Sequence, residues 1–350
     1  MHVDVAGRSY LPYAHFTVAD AAPGERFSLW RESISAVFEV EAERELRRAR
    51  EFDASLAAYL HGAHMLATTS AARQNWQRSE RLIGHDGMDH YMIQLYETGN
   101  MLYSHRGEDR TVRAGDLIVF DNSQPMASKT TDIVTLTLIV PRMDLAPLLK
   151  APDDQHLRRI GMGEPLAVLL RNHLLTLRDL SPRMRRCEAV SLNPSSLALI
   201  AACLNTGQPD DETQGGVQVA RAIAVRRFIS ANLVNPELGP NFIMRSLGIS
   251  RSRLYALFES DGGVAAYVRN QRLRLIKLRL ADPSHDRFSI QQLMFEAGFA
   301  SSASFSRLFR QQFGMSASEF RQEGRNFKIA ASTGERAGRR WENWIRYLSE

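Results

Sequence analysis

Cysteine is scarce in this chain, with only Cys187 and Cys203 among 350 residues and no Cys/His cluster at metal-ligand spacing beside either. That excludes a disulfide scaffold and a structural zinc module, and the helical-looking surroundings make buried thiols the expectation for both. Long apolar runs are also missing: none approaches 18 residues, and the opening MHVDVAGRSYLPYAHFTVAD has no basic segment followed by an apolar one. Neither a membrane span nor a secretory leader is therefore expected, and the expected compartment is the cytoplasm. There is no nucleophile motif and no phosphate-cradling glycine loop, so no catalytic residue is assigned. What is present, 44% hydrophobic and 24% charged residues, suits folded domains of ordinary size.

Charge is unevenly spread. Residues 217–330 hold 17 Lys and Arg against 8 Asp and Glu, whereas residues 1–216 hold 23 against 28. A basic segment beside a mildly acidic one points to a polyanionic partner for the former. The break between them is NTGQPDDETQGG, residues 205–216, where turn formers replace apolar periodicity. The expected organisation is a regulatory domain over 1–204, a linker over 205–216, a DNA-binding domain over 217–330 and a helical tail over 331–350.

Upstream of the linker, YMIQLY (91–96), MLYSH (101–105), RTVR (110–113), DLIVF (116–120) and DIVTLTLIV (132–140) are short β-prone runs separated by turn-rich pieces. They predict a small antiparallel barrel or sandwich. A helix is expected over FSLWRESISAVFEVEAERE before it, and another after it from Leu166, Leu169, Leu170, His173, Leu174 and Leu177. The stripe Leu166, Leu170, His173 and Leu177 suits either packing on the barrel or a homodimer contact.

Downstream the pattern is helical and repeats. Ile243, Met244, Leu247, Gly248 and Ile249 recur 50 residues later as Leu293, Met294, Ala297, Gly298 and Phe299, and Leu254, Leu257 and Phe258 recur as Phe305, Leu308 and Phe309. In each copy a short helix ends at a glycine and a second helix follows, which is the grammar of a helix-turn-helix. Ser289 with Gln292 and Ser316 with Glu319 fit capping boxes. On a helical wheel the side opposite the core is Ser252, Tyr255, Ala256 and Glu259 in one copy, and Ala303, Ser306, Arg307 and Arg310 in the other, with Ser302 on its flank. Small residues let a helix enter the major groove, and Ser and Arg can donate to bases and phosphates. Between the copies runs VAAYVRNQRLRLIKLRLAD, a helix of roughly 27 Å at ~1.5 Å per residue. Successive major grooves on one face of DNA lie ~34 Å apart, so double-stranded DNA is the expected partner.

At these residues the chain resembles the AraC/XylS-type bacterial transcription regulators. Residues 221–321 are similar to the family's tandem helix-turn-helix domain, above all GFASSASFSRLFRQQFGMSASEFR, with its Gly298–Phe299 turn, its Phe305, Phe309 and Phe313 spacing and its closing EFR. The resemblance implies that Ser252, Tyr255, Ala256, Ser302, Ala303, Ser306 and Arg307 face DNA. Arg251 and Arg310 complete the expected set, and RNA polymerase is the implied further partner. The chain departs from the family pattern at Met244 and Met294, where a small Ala is usual, and at Ala317, where Pro is usual.

RTVRAGDLIVFDNSQP in turn resembles the cupin-like regulatory domain of some members. The implied fold class is α+β, a cupin-like β-barrel with flanking helices followed by an all-α domain of two helix-turn-helix units joined by a long helix. A cupin enzyme would need a metal held by histidines. His85, His90 and His105 are available, but FDNSQPM has no histidine at the second cupin motif, so no metal and no cofactor are expected. A small-molecule effector in the barrel is the preferred reading, with an activator gated by a protein partner as the alternative. Alternation on the strands offers Tyr91, Gln94, Tyr96, Tyr103, His105, Phe120 and Thr135 as effector contacts without saying which strand face points inward. In the tail, Trp341, Trp344, Ile345 and Leu348 stand at helical spacing, as in a fold-closing helix or a partner surface.

Overall fold

The computed structural model describes residues 10–48, 52–86, 88–105, 107–206, 224–259, 261–281, 285–313, 315–322 and 340–346. The chain divides into two compact units: Met1–Arg142, Asp153–Leu204 and Ala330–Leu348 form one, and Met143–Pro152 with Asn205–Ile329 form the core of the other.

The first unit is built on two antiparallel sheets. Its strands are β1 (Tyr13–Thr17), β2 (Glu39–Glu41), β3 (Ala54–His61), β4 (His64–Ala71), β5 (Gln74–Arg78), β6 (Tyr91–Thr98), β7 (Met101–His105), β8 (Glu108–Val112), β9 (Leu117–Asp121), β10 (Met126–Thr130), β11 (Ile133–Val140) and β12 (Arg158–Ile160). One sheet runs β1-β3-β4-β11-β6-β9-β12 and the other β2-β5-β10-β7-β8. The expected strands are present, but five further strands before Tyr91, β1 to β5, belong to the same two sheets. The helix expected over FSLWRESISAVFEVEAERE ends at Ile34, and Glu39–Glu41 is a strand paired with β5. Phe27, Trp30 and Ile34 are the buried stripe of that helix, while Val40 alone of its strand turns inward. Trp30 meets Trp76 edge to face at 6.2 Å and donates from Nε1 to Gln74 Oε1 at 3.0 Å, which satisfies the one polar atom of a buried indole.

Helices Pro165–Leu180 and Arg186–Asn205 follow the strands. Leu170, Leu174 and Leu177 are buried and the first helix packs on β11, so both faces of that sheet are covered. His173 Nε2 bonds Ser196 Oγ at 2.8 Å, between the two helices. The stripe proposed as a dimer contact is thus largely spent within the protomer; the apolar side chains left exposed are Val168, Leu169 and Val190. Helix Arg186–Asn205 is long and apolar enough by composition to cross a membrane, yet it contains Pro194 and buries Ile200, Ala201 and Leu204 in this unit. Cys203 is buried, and burial pushes its thiol up to about 11. Cys187 is exposed, contrary to expectation, because it sits in the first turn of that helix on the solvent side.

Asn205 closes the helix, so the expected linker starts later, and residues 207–216 lie outside the described residues. The second unit is helical over 224–231, Pro240–Leu247, Arg251–Leu257, Val264–Ala281, Ile290–Glu296, Ser302–Phe313 and 317–322. Each helix-turn-helix unit has its own core, Ile243, Leu254 and Phe258 in the first and Leu293, Phe305 and Phe309 in the second. Met244 and Met294 are accommodated in these cores. The two turn glycines have φ of 60° at Gly248 and 81° at Gly298, the left-handed region that a side chain disfavours. Both capping boxes form: Gln292 N–H donates to Ser289 Oγ at 3.1 Å, and Glu319 N–H to Ser316 Oγ at 3.2 Å.

Candidate functional site

The residues expected to face DNA stand on two helices whose inner sides are anchored. In Arg251–Leu257, Leu254 is buried, while Arg251, Ser252, Tyr255 and Ala256 are exposed. The Arg251 guanidinium lies 5.5 Å from the Tyr255 ring centre, which holds both side chains over the same surface. In Ser302–Phe313, Phe305, Phe309 and Phe313 are buried, and Ser302, Ala303, Ser306, Arg307 and Arg310 are exposed. The helix is stiffened from behind by an aromatic ladder, with centroids 5.5 Å apart for Phe305 and Phe309 and 4.7 Å for Phe309 and Phe313. Ser301 caps its start by accepting from Ser304 N–H at 3.3 Å. All nine expected DNA contacts are therefore presented outward.

Two of the arginines differ in what they do unbound. Arg310 is paired with Glu319 at 3.0 Å, and Glu319 is held down to about 2, chiefly by the Ser316 backbone N–H and hydroxyl and then by Arg310. Among the described residues Arg307 makes no ion pair.

Part of the positive charge that composition assigned to a polyanion is instead internal. Arg272, buried in the long helix Val264–Ala281, donates from Nε to Leu233 O at 3.0 Å and from its terminal nitrogens to Asn235 O at 2.7 Å and Gly298 O at 3.2 Å. One guanidinium so ties the loop before the first helix-turn-helix to the turn of the second. A Cβ on residue 298 would stand 2.6 Å from Arg272 Cζ, a second reason for glycine there. Arg226 pairs with Asp261 at 3.3 Å, both buried, and Lys277 sits 5.4 Å from the Phe313 ring centre.

Between the two sheets of the first unit lies a cavity of about 60 Å³. From β6 it is lined by Met92, Gln94 and Tyr96, so the even-numbered face of that strand points inward. Of the expected effector contacts, Gln94, Tyr96, Phe120 and Thr135 line it and Tyr91, Tyr103 and His105 do not. Tyr91 faces the other way, its ring 5.0 Å from the Arg142 guanidinium, which is itself ion-paired with Asp121. Tyr103 is tied down by donating to Leu157 O at 3.1 Å, and His105 ends β7 beyond the cavity. Gln94 Nε2 donates to Thr135 Oγ1 at 3.2 Å and to Thr137 Oγ1 at 3.1 Å across neighbouring strands. Burial pushes the Tyr96 phenol far above its ordinary value, so it stays neutral.

Among the lining groups that the sequence reading did not name as such, three bear on binding. Ser128 on β10 is buried with its hydroxyl lacking a hydrogen-bond partner. Trp341 and Ile345, from the tail helix Arg340–Arg346, form part of the wall. Among the described residues the wall carries no Lys, Arg, His, Asp or Glu.

The helix-turn-helix domain family matches residues 243–323, a span containing both outward-facing helices. A transcriptional activator of a Rhodococcus species, NphR, is 24% identical over 278 residues, covering 78% of this chain and 82% of that one. The Msm operon regulatory protein of Streptococcus mutans is 33% identical over 92 residues, 26% of this chain and 32% of that one. The crystal structure of the AraC-like transcriptional activator CuxR superposes with a TM-score of 0.55 at 24% identity, over 75% of this chain and 94% of that one. Residues 243–323 thus form a helix-turn-helix domain of the AraC type. The family match ends before the tail helix, so the contribution of Trp341 and Ile345 to the cavity is a feature of the chain outside the matched domain.

Proposed function

We propose that the chain is an AraC/XylS-type regulator, a cytoplasmic, sequence-specific DNA-binding activator whose affinity for its operator is set by a small molecule held between the two sheets. The observation that carries the DNA half is the outward presentation of Arg251, Ser252, Tyr255 and Ala256 on one anchored helix and of Ser302, Ala303, Ser306, Arg307 and Arg310 on the other. Arg307, without an ion pair to give up, suits base contact; Arg310, already paired, suits phosphate contact through the same turn of helix. Activation through RNA polymerase follows the resemblance to named activators.

The sensing half rests on the cavity, whose apolar wall is interrupted by the Gln94, Thr135 and Thr137 group and by the unpartnered Ser128 hydroxyl. An ionised effector would bury a charge against a wall with no countercharge, so the effector is uncharged. A homodimer would use the exposed Val168, Leu169 and Val190 surface rather than the buried leucines of the same helices.

The test is a thermal-shift screen of small neutral aromatics, sugars and acids on the full chain, followed by DNA binding with each hit. A neutral hit should change operator affinity, and operator DNA should change the hit's affinity by the same factor. Hits confined to acids, or neutral hits without reciprocal coupling, would contradict this reading.

A further inference from the structure

The cavity is too small for the function assigned to it, and two side chains of the tail helix stand in its wall. Its volume of about 60 Å³ accommodates a pair of waters, whereas sites for small organic ligands run to roughly 300 Å³ and more. Trp341 and Ile345 are buried where an occupant would be. Polar contacts of their helix include Trp341 Nε1 donating to Ser33 Oγ at 3.2 Å, Ser33 Oγ donating to Glu342 Oε1 at 2.7 Å, and Ile345 O 2.9 Å from His90 Nε2. Seven residues, Arg340–Arg346, are too few to stay helical in water alone, so this helix exists because it is docked.

Resting on the reading of the cavity as the effector site, we propose that the tail helix is the cavity's resident occupant, and that the effector is a neutral aromatic molecule of indole size that displaces Trp341. The vacated space is the shape of an indole ring. The Ser128 hydroxyl, which lacks a hydrogen-bond partner, donates to or accepts from a polar atom of the guest. Because two occupants compete for one space, effector binding and tail docking exclude each other, and this exclusion supplies the differential affinity that a ligand-driven change requires. Residues 340–346 follow the DNA-reading helices in the same chain, so release of the tail is the event transmitted out of the barrel.

Indole itself is the probe. Hydrogen exchange of the full chain is followed in residues 340–346 and in 91–98 with and without saturating indole, and indole affinity is measured for the native chain, Trp341→Ala and Ser33→Ala. The expected result is at least tenfold faster exchange in 340–346 on adding indole, no loss of protection in 91–98, and at least tenfold tighter indole binding by Trp341→Ala, with Ser33→Ala between the two. Ser33 does not line the cavity, so a shift in that variant reports weakened docking and not an altered wall. Equal indole affinity in all three with unchanged tail protection would overturn resident occupancy while leaving the sensing cavity standing. Failure of folded Trp341→Ala to take up indole would overturn the occupancy claim and the aromatic effector class together. Should Trp341→Ala not fold, Ser33→Ala and the exchange of the native chain decide alone.

Discussion

The two units of this chain put their proposed working surfaces on opposite sides of their cores. In the helical unit the interior is filled, with Phe305, Phe309 and Phe313 in contact and the buried Arg272 bonded to three carbonyls, and the groups proposed to meet DNA all lie outside. In the sheet unit the groups proposed to meet an effector are inside, around a void, an unpartnered Ser128 hydroxyl and a wall contributed by a helix more than 300 residues along from Ser33, the side chain it leans on. A core that serves only as a scaffold can be filled; a core that is also a binding site keeps room.

Substitutions in the two interiors should therefore differ in size and even in sign. The largest loss is expected for Phe309→Ala, which empties the middle of the aromatic ladder and should cost about 3–5 kcal/mol by denaturant titration. Arg272→Met keeps the stem but strands the carbonyls of Leu233, Asn235 and Gly298, with an expected loss of about 2–3 kcal/mol and weakened operator binding, since it is the tie between the two turns.

An intermediate effect belongs to pH. Burial, and secondarily the nearby His64, lower the His61 imidazole to about 4, whereas the unfolded chain titrates near the ordinary 6.5. Its contribution is complete above pH 6.5 and is lost as pH falls toward 4, by up to about 1.4 kcal/mol per pH unit, because the unfolded state binds the proton first. His61→Asn should flatten that part of the stability profile. The smallest effect, with the opposite sign, is expected for Ser128→Ala: removing an unsatisfied hydroxyl should leave stability unchanged or raise it by up to about 1 kcal/mol while weakening the response to effector. A loss as large as that of Arg272→Met would erase the distinction between the two interiors.

The same contrast explains what was legible beforehand. Gly248 and Gly298, with Leu254 and Phe305 behind them, form a repeat at helical spacing, and local periodicity is what a helical unit is made of. Eight of the nine outward residues followed from the wheel, and Arg251 was added beside them. The barrel was legible only where β-branched and aromatic residues crowd together, as in β6, β9 and β11. In β3 and β4, SLAAYLH and HMLATTSA, alanines and small polar residues conceal the strands, and in SISAVFEVE the apolar spacing from Trp30 through Ile34 to Phe38 continues a helix that the β2 pairing with β5 interrupts. β6 is buried on both faces, so alternation could not distinguish Tyr91 from Tyr96. MASKT places Met126, Ser128 and Thr130 inward, a polar interior that looks like a loop. The docking of Trp341 on Ser33 has no local signature, because nothing in either segment names the other.

The central claim is that the exposed faces of Arg251–Leu257 and Ser302–Phe313 read DNA sequence. It is tested most directly by selecting duplexes from a random pool with the full chain and comparing the selected site with its scrambled version near 0.15 M salt. The account predicts at least about 10³-fold preference for the selected site, with Arg307→Ala losing about 1–3 kcal/mol of discrimination at one base step and little of the salt dependence. Equal affinity for selected and scrambled duplexes, or an Arg307→Ala variant that weakens all sequences alike, would contradict it.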